Sequence, residues 1–96
     1  MDYFRLEAKL WVRNGRFKDF TDFETAAFKI MALHGGKVLD VQKNHSATDN
    51  KPHEIHVLEF PTLAAFEAYK TDPALLKLAQ LREKCIAKTE VNTLHR

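Results

Sequence analysis

His53 to Leu76 read HEIHVLEFPTLAAFEAYKTDPALL, and this stretch decides the fold because a strand in it stops at a proline and turns at once into an amphipathic helix. His53 to Phe60 carries the β-branched and aromatic residues of a strand. Pro61-Thr62 ends it, and Thr62 can cap the helix that follows. Leu63, Phe66 and Tyr69 recur at helical spacing and mark that helix's buried side. Asp72-Pro73 interrupts the pattern, because the residue before a proline is driven out of the α region. Asp at the cap and Pro at the first helical position then restart a helix through Leu75, Leu76, Leu78 and Leu81. A broken or kinked second helix is expected.

Upstream, residues 3 to 13 alternate, with Phe4, Leu6, Ala8, Leu10 and Val12 on one side and Tyr3, Arg5, Glu7, Lys9 and Trp11 on the other. Period two over this length is a strand with one greasy face. Asn14-Gly15 ends it. From about Phe17 to Leu33 the period lengthens to three and four (Phe20, Phe23, Ala27, Ile30), and Thr21 with Glu24 offers a capping box. Gly35-Gly36 supplies a left-handed stop. Lys37 to Asn44 reads as a second strand around Leu39 and Val41, and His45 to Pro52 as a polar hairpin loop. Ile86 to Thr93 makes the last strand, with Leu94-His95-Arg96 as a tail.

The order is β-α-β-β-α-β. In the ferredoxin-like α+β arrangement of that order, one four-stranded antiparallel sheet carries both helices on one face. The helix side is expected to hold Phe4, Leu6, Leu10, Leu39, Val41, Ile55 and Val57. The open side is expected to hold Arg5, Glu7, Lys9, Trp11, Val38, Asp40 and Gln42, with Glu54, His56, Leu58 and Phe60 of the third strand. Aromatic and aliphatic surface studded with matched charges suits burial against a second copy of the chain.

Composition sets the remaining bounds. Ninety-six residues, 45% hydrophobic and 29% charged, are expected to form one domain, 1–96, of a globular protein. Apolar runs fall far short of the roughly 20 residues that cross a bilayer, so no membrane is expected as a partner. The opening MDYFRLEAK lacks the pattern of an export signal, and a lone cysteine, Cys85, fits a reducing compartment, so cytoplasm is the expected location. A net charge of +2, with 15 basic and 13 acidic residues interleaved along the chain, gives no one-sided basic stripe for nucleic acid.

The segments Gly35-Gly36-Lys37-Val38-Leu39, Glu59 to Phe66 with Tyr69, and Asp72-Pro73-Ala74-Leu75 carry a resemblance to the dimeric α+β barrel superfamily, which includes antibiotic-biosynthesis monooxygenase-like and related small families. The resemblance spans about residues 3 to 93. It implies a homodimer whose two sheets face each other as a barrel with helices outside. The superfamily's activities include oxygenation of aromatic polyketides, haem degradation and lactone isomerisation, and some members have no known reaction. The haem-degrading pattern departs most, since Arg5, Glu7 and Lys9 stand where it needs an Asn and no His lies between Pro61 and Ile86.

No nucleophile motif, phosphate loop or metal-ligand spacing occurs. Glu54 and His56, two apart on one strand, are the candidate catalytic pair, because a carboxylate can hold an imidazole's tautomer and raise its basicity. The alternative makes them part of a charge ladder between subunits with Arg5, Lys9 and Lys88. Arg5, Lys9, Trp11, Asp40 and Tyr69 are candidate ligand contacts. His53 and His56, three apart in a strand, point to opposite faces and make no metal pair, so neither metal nor cofactor is expected. His34 is expected to meet the carbonyl end of the first helix. Cys85 is expected to be inert, and the phenylalanines of the first helix are core.

These features lead to a small enzyme, or binder, for a hydrophobic or aromatic metabolite, of monooxygenase-like or isomerase-like kind. A non-catalytic dimerisation module is the alternative. An RNA-recognition domain shares the element order, but Glu54, His56 and Leu58 stand where stacking aromatics would be needed.

Overall fold

The computed structural model describes residues 3–94; the expected tail therefore lies outside the described residues at His95 and Arg96, and Leu94 belongs to the last strand. The elements are β1 (Phe4–Val12), α1 (Phe17–Leu33), β2 (Lys37–Lys43), β3 (Glu54–Phe60), α2 (Leu63–Lys70), α3 (Pro73–Leu76), α4 (Ala79–Cys85) and β4 (Ile86–Leu94). The sheet order is β2-β3-β1-β4, with every hydrogen-bonded pair antiparallel. This is the ferredoxin-like arrangement, with β3 inserted between β1 and β2.

The local signals act as their chemistry dictates. Thr62 accepts the Ala65 N–H at 3.0 Å and caps α2. Asp72 accepts the Ala74 N–H at 2.8 Å with Pro73 behind it, so the second helical region is split into α2, α3 and α4. The α1 terminus closes as Gly35 N–H bonds Ala32 O and Gly36 N–H bonds Met31 O, with Gly35 at φ +76°. Gly36 has no room for a side chain, because a Cβ there would run into Met31 and into the Phe60 ring at 2.6 Å. The expected Thr21–Glu24 capping box does not form. The helix already starts at Phe17, Thr21 bonds back to Phe17 O, and Glu24 is left free for another partner.

The register of β1 with β3 corrects the expected faces. Phe4 pairs with Phe60, Leu6 with Leu58, Ala8 with His56 and Leu10 with Glu54, so these β3 residues lie under the helices. Directly paired residues share a face. Ile55 and Val57, expected inside, sit opposite Lys9 and Glu7 on the open face. Both phases of β3 carry apolar residues, so alternation alone could not choose between them. Pairing with the unambiguous greasy side of β1 does. In β2 a bulge between Val38 and Asp40 places Val38 opposite Leu58 and Val41 opposite His56, leaving Leu39 exposed rather than inside.

Leu6, Leu58, Phe60, Met31 and Phe66 pack one part of the core. Leu10, Val12, Phe20, Cys85 and Ile86 pack the other. Burying aromatic and branched side chains at roughly 25 cal/mol per Å2 of apolar surface is the main force holding the helices to the sheet. Cys85 is fully buried, and burial pushes its thiol above the ordinary range, the state of an unreactive cysteine. No helix among the described residues is long and apolar enough to cross a membrane.

Candidate functional site

Between the sheet and the helices lies a cavity of about 370 Å3. Leu6, Ala8 and Leu10 of β1 floor it, Phe28 and Met31 of α1 wall it, and Tyr69 of α2 closes one side. Its lining is overwhelmingly apolar, which makes its charged members conspicuous.

Chief among these is a three-residue cluster. His56 Nε2 lies 2.7 Å from Glu54 Oε1 and 2.9 Å from Glu24 Oε2. Ionised carboxylates only accept, so the nitrogen between them carries the proton. Glu24 reaches the site because it lies on the inward stripe of α1, four residues after Phe20 and three before Ala27. His56 is held by its cross-strand place beside Ala8 and by the Phe28 ring, whose centroid is 5.6 Å from the imidazole. Glu24 and His56 line the cavity; Glu54 stands off the lining and acts through His56.

Burial is the largest influence on each group and acts against charge. For His56 it is overridden by the hydrogen bonding of its N–H to Glu24 and Glu54 and by their negative charges, so the imidazole's pKa lies above 6.5. Glu54 is pushed up by burial and by the neighbouring Glu24. For Glu24 burial is outweighed by its contacts with His56 and Glu54 and by the charges of His56 and Lys43, which pull its pKa below 4.5. The cluster therefore holds an ionised Glu24 beside a proton-rich His56.

One imidazole and two carboxylates, with donor atoms within 4.8 Å of one another, also have the composition that could hold a divalent ion. An ion would require Nε2 without its proton. In the present arrangement that proton is engaged with Glu54, with Glu24 at ion-pair distance, and no buried side-chain nitrogen or oxygen among the described residues lacks a partner.

The other candidates divide by face. Tyr69 lines the cavity, and burial pushes its phenol above the usual value. Arg5, Lys9 and Asp40 stand on the opposite face, away from the cavity. Arg5 pairs with Glu59 at 2.7 Å, Lys9 approaches Glu7 at 3.8 Å, and Asp40 accepts from Gln42 at 3.3 Å. Trp11 is buried beneath the 45–52 loop, with its indole N–H on Thr48 O at 2.7 Å and Lys88 Nζ 4.6 Å from its ring. The expected ladder joining Glu54 and His56 to Arg5, Lys9 and Lys88 cannot form, since the two sets occupy opposite faces of the sheet.

His53 Nδ1 accepts the Val12 N–H at 2.9 Å, a structural contact. His34 meets Asp72 at 2.7 Å through its side chain and leaves the α1 carbonyls to backbone N–H groups. That hydrogen bond holds the Asp72 carboxyl below its ordinary pKa. Glu24 was the member missed from sequence. Its signal was a single carboxylate on an otherwise apolar helix stripe, which the capping-box reading explained away.

Fold and cavity together define a small ferredoxin-like α+β protein with a half-open pocket between sheet and helices. The chain belongs to the DUF1330 family, a domain of unknown function, whose model matches residues 10–93. A search among curated proteins finds no match. Similar solved structures include a dabb family protein with a ferredoxin-like fold from Mesorhizobium loti, at 16% identity, covering 100% of this chain and 98% of that one with a TM-score of 0.72. A provisionally named antibiotic biosynthesis monooxygenase from Bacteroides thetaiotaomicron matches at 14% identity, 99% and 90% coverage and a TM-score of 0.74. A protein from Thermobifida fusca described as dimeric, ferredoxin-like and of unknown function matches at 14% identity, 98% and 91% coverage and a TM-score of 0.69. At these identities the likeness is one of fold.

Proposed function

We propose that this protein is a homodimer that binds a small hydrophobic or aromatic molecule in the cavity under its helices and moves a proton on it. The observation that carries the reading is a buried Glu24–His56–Glu54 cluster on the wall of an otherwise apolar chamber. His56 and Lys43 keep Glu24 ionised, so it stands ready as a proton acceptor, and its effectiveness comes from being fixed on the wall of the pocket against the ligand rather than from raised basicity. Glu24 is the group that takes a proton from an acidic C–H or O–H of the ligand. His56 supports the charge on Glu24 and supplies a proton in return, while Glu54 orients His56. This is the chemistry of an isomerase-like step, and it is equally the opening step of a cofactor-independent oxygenation.

Dimerisation is supported by the open sheet face, where Ile55 and Val57 lie half-buried among paired charges, and by the dimeric description of the fold neighbour from Thermobifida fusca. Sedimentation should show two copies per particle; a monomer at working concentration overturns this part.

The proton-transfer reading is tested with 2-tetralone, an aromatic ketone small enough for the chamber, by following loss of its α-proton signals in deuterated water by NMR. The protein should accelerate exchange over buffer. Glu24→Gln and His56→Gln should return it to the buffer rate, and Lys9→Gln, on the other face, should not. Exchange no faster than in the Glu24→Gln protein sinks the reading. Loss of exchange with EDTA, restored by manganese, would reassign the cluster to a bound ion.

A further inference from the structure

The cavity has two chemically unlike ends, and the strand register measures the distance between them. Ala8 pairs with His56 on one side and with Val91 on the other, while Leu10 pairs with Glu54 and with Thr89. Adjacent strands lie about 4.8 Å apart, so the carboxylate end and the Thr89 end are separated by about 10 Å across β1. The floor between them, Ala8 and Leu10, offers no polar group. At the Thr89 end Arg82 of α4 lines the rim and donates from Nη2 to Thr89 Oγ1 at 2.7 Å. A guanidinium has five N–H donors, and no carboxylate among the described residues pairs with Arg82. Lys70, the other cation of the lining, is already paired with Glu67 at 3.2 Å.

We infer that the ligand of this cavity is a flat apolar acid, an aromatic or conjugated carboxylate, bound with its anionic group on Arg82 and its hydrocarbon body over Ala8. This rests on the proposed function and adds the ligand's class and direction. Orientation follows from charge. Glu24 and Glu54 repel a carboxylate from one end, and Arg82 attracts it to the other with the planar fork that matches it. About 10 Å is the span of a fused two-ring body with one substituent. The reacting edge of the molecule then faces Glu24 and His56, opposite its charged group.

The test uses two probes of one shape, 2-naphthoate and the neutral 2-naphthamide, titrated into the intact protein by calorimetry at neutral pH. A charge-assisted hydrogen-bond pair at a rim position predicts about tenfold tighter binding of the naphthoate. Arg82→Gln should erase that preference while leaving naphthamide affinity unchanged, Arg82→Lys should keep part of it, and Lys70→Gln should keep all of it. Equal affinity for the two probes in the unaltered protein, or a naphthoate preference that survives Arg82→Gln, overturns the inference and leaves the cavity reading standing. Binding of neither probe overturns both.

Discussion

The two faces of the sheet are built from alternate residues of the same strands, and they handle charge in opposite ways. On the open face Arg5 and Glu59 at 2.7 Å, and Lys88 and Glu90 at 2.9 Å, form ion pairs with one or both partners in water. Under the helices His56, 4% exposed at its side chain, is enclosed with two carboxylates. The first arrangement is weakly coupled to stability, because solvent screens it. The second is strongly coupled, since removing His56 leaves two enclosed carboxylates facing each other without a countercharge. Enclosure, and not the number of pairs, decides which charges are tied to the fold.

Substitutions across the two faces should separate them by size. Phe60→Ala, under the helices, should cost about 3–5 kcal/mol in denaturant unfolding, whereas Val57→Ala on the open face should cost about 1 kcal/mol or less. A similar loss at both positions would show that the open face is as enclosed as the core. Next comes the cluster itself. His56→Leu should destabilise by about 2–4 kcal/mol at neutral pH, partly recovered by adding Glu24→Gln, while Arg5→Leu should cost about 1 kcal/mol or less. Equal effects in chemical denaturation would erase the contrast.

The pH profile is the third comparison. His56 binds its proton more tightly folded than unfolded, so its contribution is complete below 6.5 and is lost as pH rises through the raised folded value. Glu24 acts in the other direction, adding stability above 4.5 that is lost as pH falls through its lowered folded value. Melting temperature should therefore fall as pH rises above 6.5, and His56→Leu should flatten that limb. A wild-type profile that stays flat as pH rises above 6.5 would contradict the proton-rich cluster. Smallest of all, Lys88→Ala should cost about 0.5 kcal/mol through its contact with the Trp11 ring, seen as a slight shift in urea midpoint.

The fold was legible because its punctuation has a fixed chemistry. Gly35 takes a positive φ, Thr62 and Asp72 accept from helix N–H groups, and Pro73 breaks the second helix. Strand β1 was equally plain, since its apolar residues alternate with charged ones and only Trp11 breaks the pattern. The phase of β3 was not, because Ile55 and Val57 compete with Leu58 and Phe60 for the same side and only pairing with β1 settles the contest. The site suffered from that inversion. His56 and Glu54 stood out as a pair, but their polarity argued for the wrong face, and Glu24 needed the tertiary packing of α1 to join them. Charged groups follow their partners inside when the partners supply enough hydrogen bonds.

Glu24 belongs to α1 and meets Glu54 and His56 of β3 only when that helix is seated on the sheet. The cluster is thus a long-range contact, absent from any locally folded fragment. A ligand that tightens it also latches helix to sheet, so occupancy of the chamber should slow unfolding more than it speeds folding if the latch closes after the folding barrier. The cluster in this small chain is put together only by the seating of α1 on the sheet.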